Sequence, residues 1–232
     1  MEGPMESSLH RQLKELYGGS LDDCEVTVRG FRIDAVAAGR LVEIQRASLS
    51  AIRDKIATLL ATHRVTLVKP IAARTLIVRG PSAGGALASR RYSPVRRNLF
   101  HLFEELVHFG TVFPHPRLQL EVVLIEQEER RIPRVRRRFN GPDYRVEDRL
   151  LLNIVSCHHF RTGADLAALL PDQLPSPFHT QDLAEAAAIP RWLAQKMVYC
   201  LTRCGAIERV GKLSRSVLYV STQTAARRRK SA

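Results

Sequence analysis

Near the N-terminus, apolar positions recur at helical spacing. In ESSLHRQLKELY, residues 6–17, Leu9, Leu13 and Leu16 fall at i, i+4 and i+7, on one stripe of a helix. Ser7 or Ser8 can cap its start, and Gly18-Gly19 stops it. From residue 24 the period becomes two. CEVTVR, residues 24–29, alternates as a strand, and Gly30 turns the chain. FRIDAVAAGRLVEIQ, residues 31–45, then predicts a β-hairpin with its tip at Ala38-Gly39. Counting outward pairs Ala37 with Arg40, Val36 with Leu41, Ala35 with Val42 and Asp34 with Glu43. In that register Phe31, Ile33, Ala35, Val42 and Ile44 form an apolar face, which a one-residue slip would turn to solvent. The other face carries Arg32, Asp34, Val36, Leu41, Glu43 and Gln45.

Past the hairpin, residues 48–62 predict an amphipathic helix with Leu49, Ile52, Ile56, Leu59 and Leu60 inward. Residues 64–69 follow as a strand closed by Pro70, so strand, helix and strand make a parallel crossover. Residues 74–79 read as another strand, 80–97 as a Gly/Ser/Arg-rich surface loop, 98–109 as a helix and 118–128 as a long strand. The GPSAGG of that loop lacks the Lys-Ser/Thr that completes a phosphate loop. Then comes ERRIPRVRRRFNGPDYR, with Arg130, Arg131, Arg134, Arg136, Arg137 and Arg138 beside Pro133 and Gly141-Pro142. It reads as a linker or exposed strand end over 130–149 that separates a domain at 1–129 from one at 150–221, with a basic tail at 222–232. In the second part Thr162 caps a helix ending near Leu170, and Thr180 caps another. The turn lies at Ala188-Ile189, and Pro190 opens a helix that Gly205 ends. AIERV and SVLYV flank GKLSR as a two-stranded wing. On the last helix Trp192, Leu193, Met197, Val198 and Leu201 read as core.

Composition adds a partner. The 232 residues are 45% apolar, enough for a packed core, and carry a net charge of +13, which points to a polyanion with nucleic acid first. The sequence has no apolar run of membrane-spanning length and no signal-peptide core, so the expected location is cytoplasmic. Cys24, Cys157, Cys200 and Cys204 lack the paired knuckle spacing of a zinc site and read as reduced, buried thiols.

The hairpin carries the chemistry. Two carboxylates opposite each other repel, and a hard divalent cation between them would relieve that repulsion. The plain alternative is a solvated face with Arg32–Asp34 and Glu43–Arg46 ion pairs, worth about 0–1 kcal/mol each. His10 lies on the first helix near these residues, and the remaining histidines have no partner legible in sequence.

D-x₈-E-x-Q, after a helix and a strand and before a helix and a strand, resembles the PD-(D/E)xK nuclease superfamily over roughly residues 6–70. The resemblance implies a restriction-endonuclease-like αβββαβ core in an α/β protein. It implies that Asp34, Glu43 and the carbonyl of Ile44 hold Mg²⁺ or Mn²⁺, that Gln45 stands where Lys is usual, and that Glu6, with Glu15 in reserve, completes the site. Lys55 or Lys69 is then the auxiliary cation. About 60 residues within 150–221 resemble the winged helix-turn-helix superfamily, which implies DNA contacts from Arg191, Gln195, Arg203, Lys212 and Arg215. The whole chain also resembles an uncharacterised prokaryotic family of unknown function.

The expectation is therefore a divalent-metal-dependent DNA endonuclease, for which a homodimer would suit paired-strand cleavage. The alternative is a DNA-binding regulator with a degenerate nuclease domain. An RNA-processing role ranks last, since aromatics make up only 6% of residues and unpaired RNA is read by stacking. If about five charges of the arginine run neutralise phosphates, log K for a labelled duplex should fall with log salt at a slope of roughly −4 to −5. Fluorescence anisotropy across a salt series measures it.

Overall fold

The computed structural model describes residues 7–18, 24–82, 89–134 and 141–222. Glu6, Arg136, Arg137, Arg138 and the tail beyond 222 lie outside the described residues. The chain has a mixed α/β fold with one large sheet and several helices.

Helix α1 (Ser8–Gly18) comes first, then strands β1 (Cys24–Val28), β2 (Phe31–Ala37) and β3 (Arg40–Ile44). The hairpin forms in the expected register, with Ala35↔Val42, Val36↔Leu41 and Ala37↔Arg40 paired. Its tip puts Ala38 at φ 50° and Gly39 at φ 70°, the two positive values that a two-residue turn matched to strand twist requires. The apolar face is buried as expected, with Ile33, Ala35, Val42 and Ile44 all inside.

A 3-10 turn (Leu49–Ile52) and helix α2 (Arg53–Leu60) replace the single helix expected over 48–62. Strand β4 (Val65–Arg79) then runs through Pro70, where two strands were expected. The reason lies in β3, which ends just before. The Gln45 N–H donates to the Val68 carbonyl at 2.9 Å, and backbone polar groups two residues apart face the same side. Pro70 therefore turns its nitrogen toward the side that β3 has already left, and its missing N–H breaks no pairing with β3. Strand β5 (Ser89–Tyr92), within the expected loop, pairs with the far end of β4.

A 3-10 turn (Leu99–His101), helix α3 (Leu102–Leu106), strand β6 (Leu118–Pro133) and strand β7 (Tyr144–Phe160) follow. The sheet order is β1-β2-β3-β4-β6-β7, with β5 on β4. Within 130–149, where a linker or exposed strand end was expected, residues 130–133 end β6 and 144–149 begin β7. Strand β7 escaped the sequence reading because it ends the strand order and is half-exposed, with charged residues through its first half.

Helices α4 (Gly163–Ala167), α5 (Thr180–Ala186) and α6 (Arg191–Arg203) precede the hairpin β8 (Ile207–Leu213) and β9 (Ser216–Ser221). Thr162 forms a capping box with Asp165. His179, one residue before the expected Thr180, caps α5. Pro190 is the N-cap of α6, and Gly205 follows its end at φ 70°.

The chain forms two compact units. One comprises Met1–Arg46, Thr66–Leu99 and Glu121–His158, and the other Ala47–Val65, Phe100–Leu120 and His159–Ala232. In the first, Leu9 and Leu13 of α1 pack on Ala35, Val42, Ile44, Val68, Val123 and Ile125 of the sheet. In the second, α3 and α5 pack against α6, whose Leu193, Met197 and Leu201 are fully buried. Leu13→Ala should cost about 2–5 kcal/mol, read as a lowered midpoint in urea unfolding.

Candidate functional site

Asp34 sits where the β2–β3 ladder stops. Beyond the Ala35↔Val42 pair, its carboxylate takes over as the link between the strands, and its Oδ2 accepts the Ile44 N–H at 2.7 Å. Its Oδ1 lies 3.0 Å from His10 Nε2. Burial alone would push this carboxyl up. The bonds from His10 and from the Ile44 amide, with the nearby charge of Lys14, outweigh burial and hold it below the ordinary carboxylate range.

Helix α1 makes this possible. Ser7 caps it, accepting the His10 N–H on its Oγ at 3.3 Å, and the Asp148 carboxylate accepts the Ser8 N–H at 2.9 Å and its hydroxyl at 2.6 Å. With Leu9 and Leu13 inward, His10 and Lys14 lie one turn apart on the adjoining flank. Lys14 is only 7% exposed and places its Nζ 2.7 Å from Glu25, which also pairs with Arg32. The Arg32–Asp34 surface pair weighed from sequence is thus replaced by Arg32–Glu25.

On β3, Glu43 is buried, 7% exposed. The residue is engaged elsewhere, and its Oε2 accepts no hydrogen bond from the described residues. Gln45 is half-buried at the end of the strand. Lys69 of β4 is buried and donates to the Arg46 carbonyl at 3.2 Å. Lys55 belongs to α2 in the second unit. Glu15 is exposed, and the helix residue that meets Asp34 is His10. Sequence reasoning missed Lys14 altogether, although its i+4 spacing from His10 was a usable signal.

Among the described residues, no group of three or more His, Cys, Asp or Glu is arranged to hold a metal. The donor chemistry still suits a hard cation. A carboxylate offers about four acceptor positions, so Asp34, bonded to His10 and Ile44, keeps acceptor capacity for a ligand bond. Cys157, Cys200 and Cys204 are free thiols; burial pushes that of Cys200 up to about 12, whereas Cys157, expected buried, is exposed on the half-exposed strand β7.

The described arginines of the basic run have partners inside the fold. Arg130 pairs with Glu128 at 2.8 Å, Arg131 with Glu129 at 2.6 Å, and Arg134 donates to the Tyr144 carbonyl at 2.8 Å. Arg191, Gln195, Arg203, Lys212 and Arg215 are all exposed. Trp192, expected in the core, is 44% exposed, because it lies one residue off the buried stripe of α6.

A family model described as "Domain of unknown function (DUF8091)" matches residues 7–161. The chain belongs to this family. The DUF8091 match starts with α1 and ends one residue past β7, so it takes in every strand of the large sheet and stops before α4. An uncharacterized protein of Treponema pallidum (strain Nichols) is 32% identical over 183 residues, covering 78% of this chain and 72% of that protein. No solved structure matches.

His10→Ala should raise the Asp34 carboxyl pKa, because burial remains while its main hydrogen bond is lost. Stability from this depressed pKa is present above the ordinary carboxylate range and lost as pH falls through the folded value. Carbon-13 NMR of the Asp34 carboxyl against pH checks it; an unmoved midpoint would show that His10 does not hold the charge.

Proposed function

We propose that the chain is a divalent-metal-dependent DNA endonuclease with its catalytic centre around Asp34, Glu43 and Gln45. The observation that carries this reading is the chain order α1-β1-β2-β3-α2-β4 with Asp34 hydrogen-bonded across to β3 beside Glu43. It is the element order of the PD-(D/E)xK core, and the helices and hairpin after residue 160 follow the order of a winged helix.

Asp34, Glu43 and the Ile44 carbonyl would hold Mg²⁺ or Mn²⁺, which when bound supplies positive charge to the scissile phosphate and lowers the pKa of water. His10 keeps Asp34 ionised and oriented. Gln45 orients the attacking water through its amide but brings no charge. Lys14, whose charge reaches Asp34, or Lys69 supplies the cation that the motif lysine would otherwise give. Arg191, Gln195, Arg203, Lys212 and Arg215 contact the DNA.

A second reading is a DNA-binding regulator whose nuclease domain no longer cuts. It is favoured by Gln45 and by the two Asp34 oxygens already engaged with His10 and Ile44. The two readings separate on one comparison. If the centre is catalytic, Asp34→Ala and Glu43→Ala each lower Mn²⁺-dependent cleavage of plasmid and branched DNA at least about 100-fold. Mn²⁺ binding by calorimetry is lost with them, while the circular dichroism spectrum is kept. Wild-type protein that binds DNA, takes up no Mn²⁺ and leaves every substrate intact sinks the nuclease reading and favours the regulator.

A further inference from the structure

Helix α6 turns one face to solvent, and that face has an unusual make-up. Its exposed residues are Arg191, Trp192, Gln195, Tyr199, Thr202 and Arg203. Trp192 is 44% and Tyr199 45% exposed, although a helix in a basic protein could place any polar residue there. The two rings stand seven residues apart, about 10.5 Å along the axis, on the same face. Each has a cation beside it: Lys196 Nζ lies 4.9 Å from the Trp192 ring centre and the Arg203 guanidinium carbon 5.8 Å from that of Tyr199. His101 meets the Trp192 ring edge-on at 6.3 Å. The helix RWLAQKMVYCLTR contains no acidic residue and three basic ones.

Exposed aromatics alternating with cations fit a strand of stacked bases flanked by phosphates. Every base has a π-face, so such a surface binds single strands with little regard to sequence. Duplex readers instead present Arg, Lys, Asn or Gln to base edges in the groove, where a tryptophan and a tyrosine find their π-partners already stacked. A protein partner would also cover aromatics. Lys196 pairs with Glu104 of α3 at 3.4 Å, but Arg191 and Arg203 have no acid on the helix to offset them, which favours a polyanion. We infer that the exposed face of α6 is a stacking platform for single-stranded DNA, or for the unpaired stretch of a branched one. The inference rests on the reading of DNA as the partner and narrows its form.

Trp192 is the sole tryptophan of the sequence, so intrinsic fluorescence reports this face alone. The test titrates full-length protein with oligo-dT and with a duplex of equal length, following tryptophan emission and, separately, anisotropy of labelled DNA. The expected result is quenching by oligo-dT and little by duplex. Trp192→Ala and Tyr199→Ala should each weaken oligo-dT binding roughly 5- to 150-fold and leave duplex binding unchanged, with Trp192→Phe close to wild type. Anisotropy that reports tight binding of both DNA forms, with no quenching and no loss in either alanine variant, overturns the inference and leaves the nuclease proposal standing. No binding of either DNA by anisotropy overturns both. Emission that changes with protein concentration alone, and not with DNA, assigns the face to a second copy of the chain and overturns the inference too.

Discussion

Ala35, Val42, Ile44, Val68, Val123 and Ile125 turn one face of the sheet into a continuous apolar surface, and water must be kept off it. Helix α1 does this with Leu9 and Leu13. Burying those two leucines fixes the rotation of the helix, and the next residue along each time lies about 100° around. That rotation brings His10 to Asp34 and Lys14 to Glu25. The Asp148 carboxylate at the start of α1 fixes the remaining freedom, sliding along the axis. Core packing and the electrostatics of the Asp34 centre are therefore one geometric problem with one solution.

The same economy governs charge. Glu43, Glu121, Glu128 and Glu129 are all buried, and Glu129 is held by both Arg131 and Arg149. A carboxylate taken from water needs such partners, because desolvation otherwise outweighs the gain of folding. These four glutamates are turned inward, while α6 carries no acid at all. A net charge alone could not have said where the balance falls.

What the sequence made legible follows from period and turn chemistry. The hairpin register was readable because a period of two has only one face-consistent pairing around an Ala38-Gly39 tip. The buried stripe of α6 was readable except at Trp192, since size and hydrophobicity suggested core while its position lay just off the stripe. Strand β7 was not legible, because an edge strand needs no apolar alternation. The ion pairs of Arg130 and Arg131 were not legible for a related reason. Glu128-Glu129-Arg130-Arg131 places each acid two residues from a base, on the same side of a strand, but only if the segment is read as strand. The three pairs nearest the tip were legible from register, but Asp34 lies beyond the last of them, and that its carboxylate accepts the Ile44 N–H and meets His10 required knowing the strand ends and how α1 sits on the sheet.

The division of the chain into two units has a consequence for how it is made. The units change over at residues 46/47, 65/66, 99/100, 120/121 and 158/159, so neither is a continuous stretch. A ribosome that has released the hairpin has not yet made β6 or β7, and the first unit stays incomplete until residue 158 has emerged. Contacts between segments far apart in the chain are slow to form, because the intervening loop must close first. Each unit therefore matures late in synthesis, the first after residue 158 and the second only with its last segment, and no single cut in the gene excises either one intact.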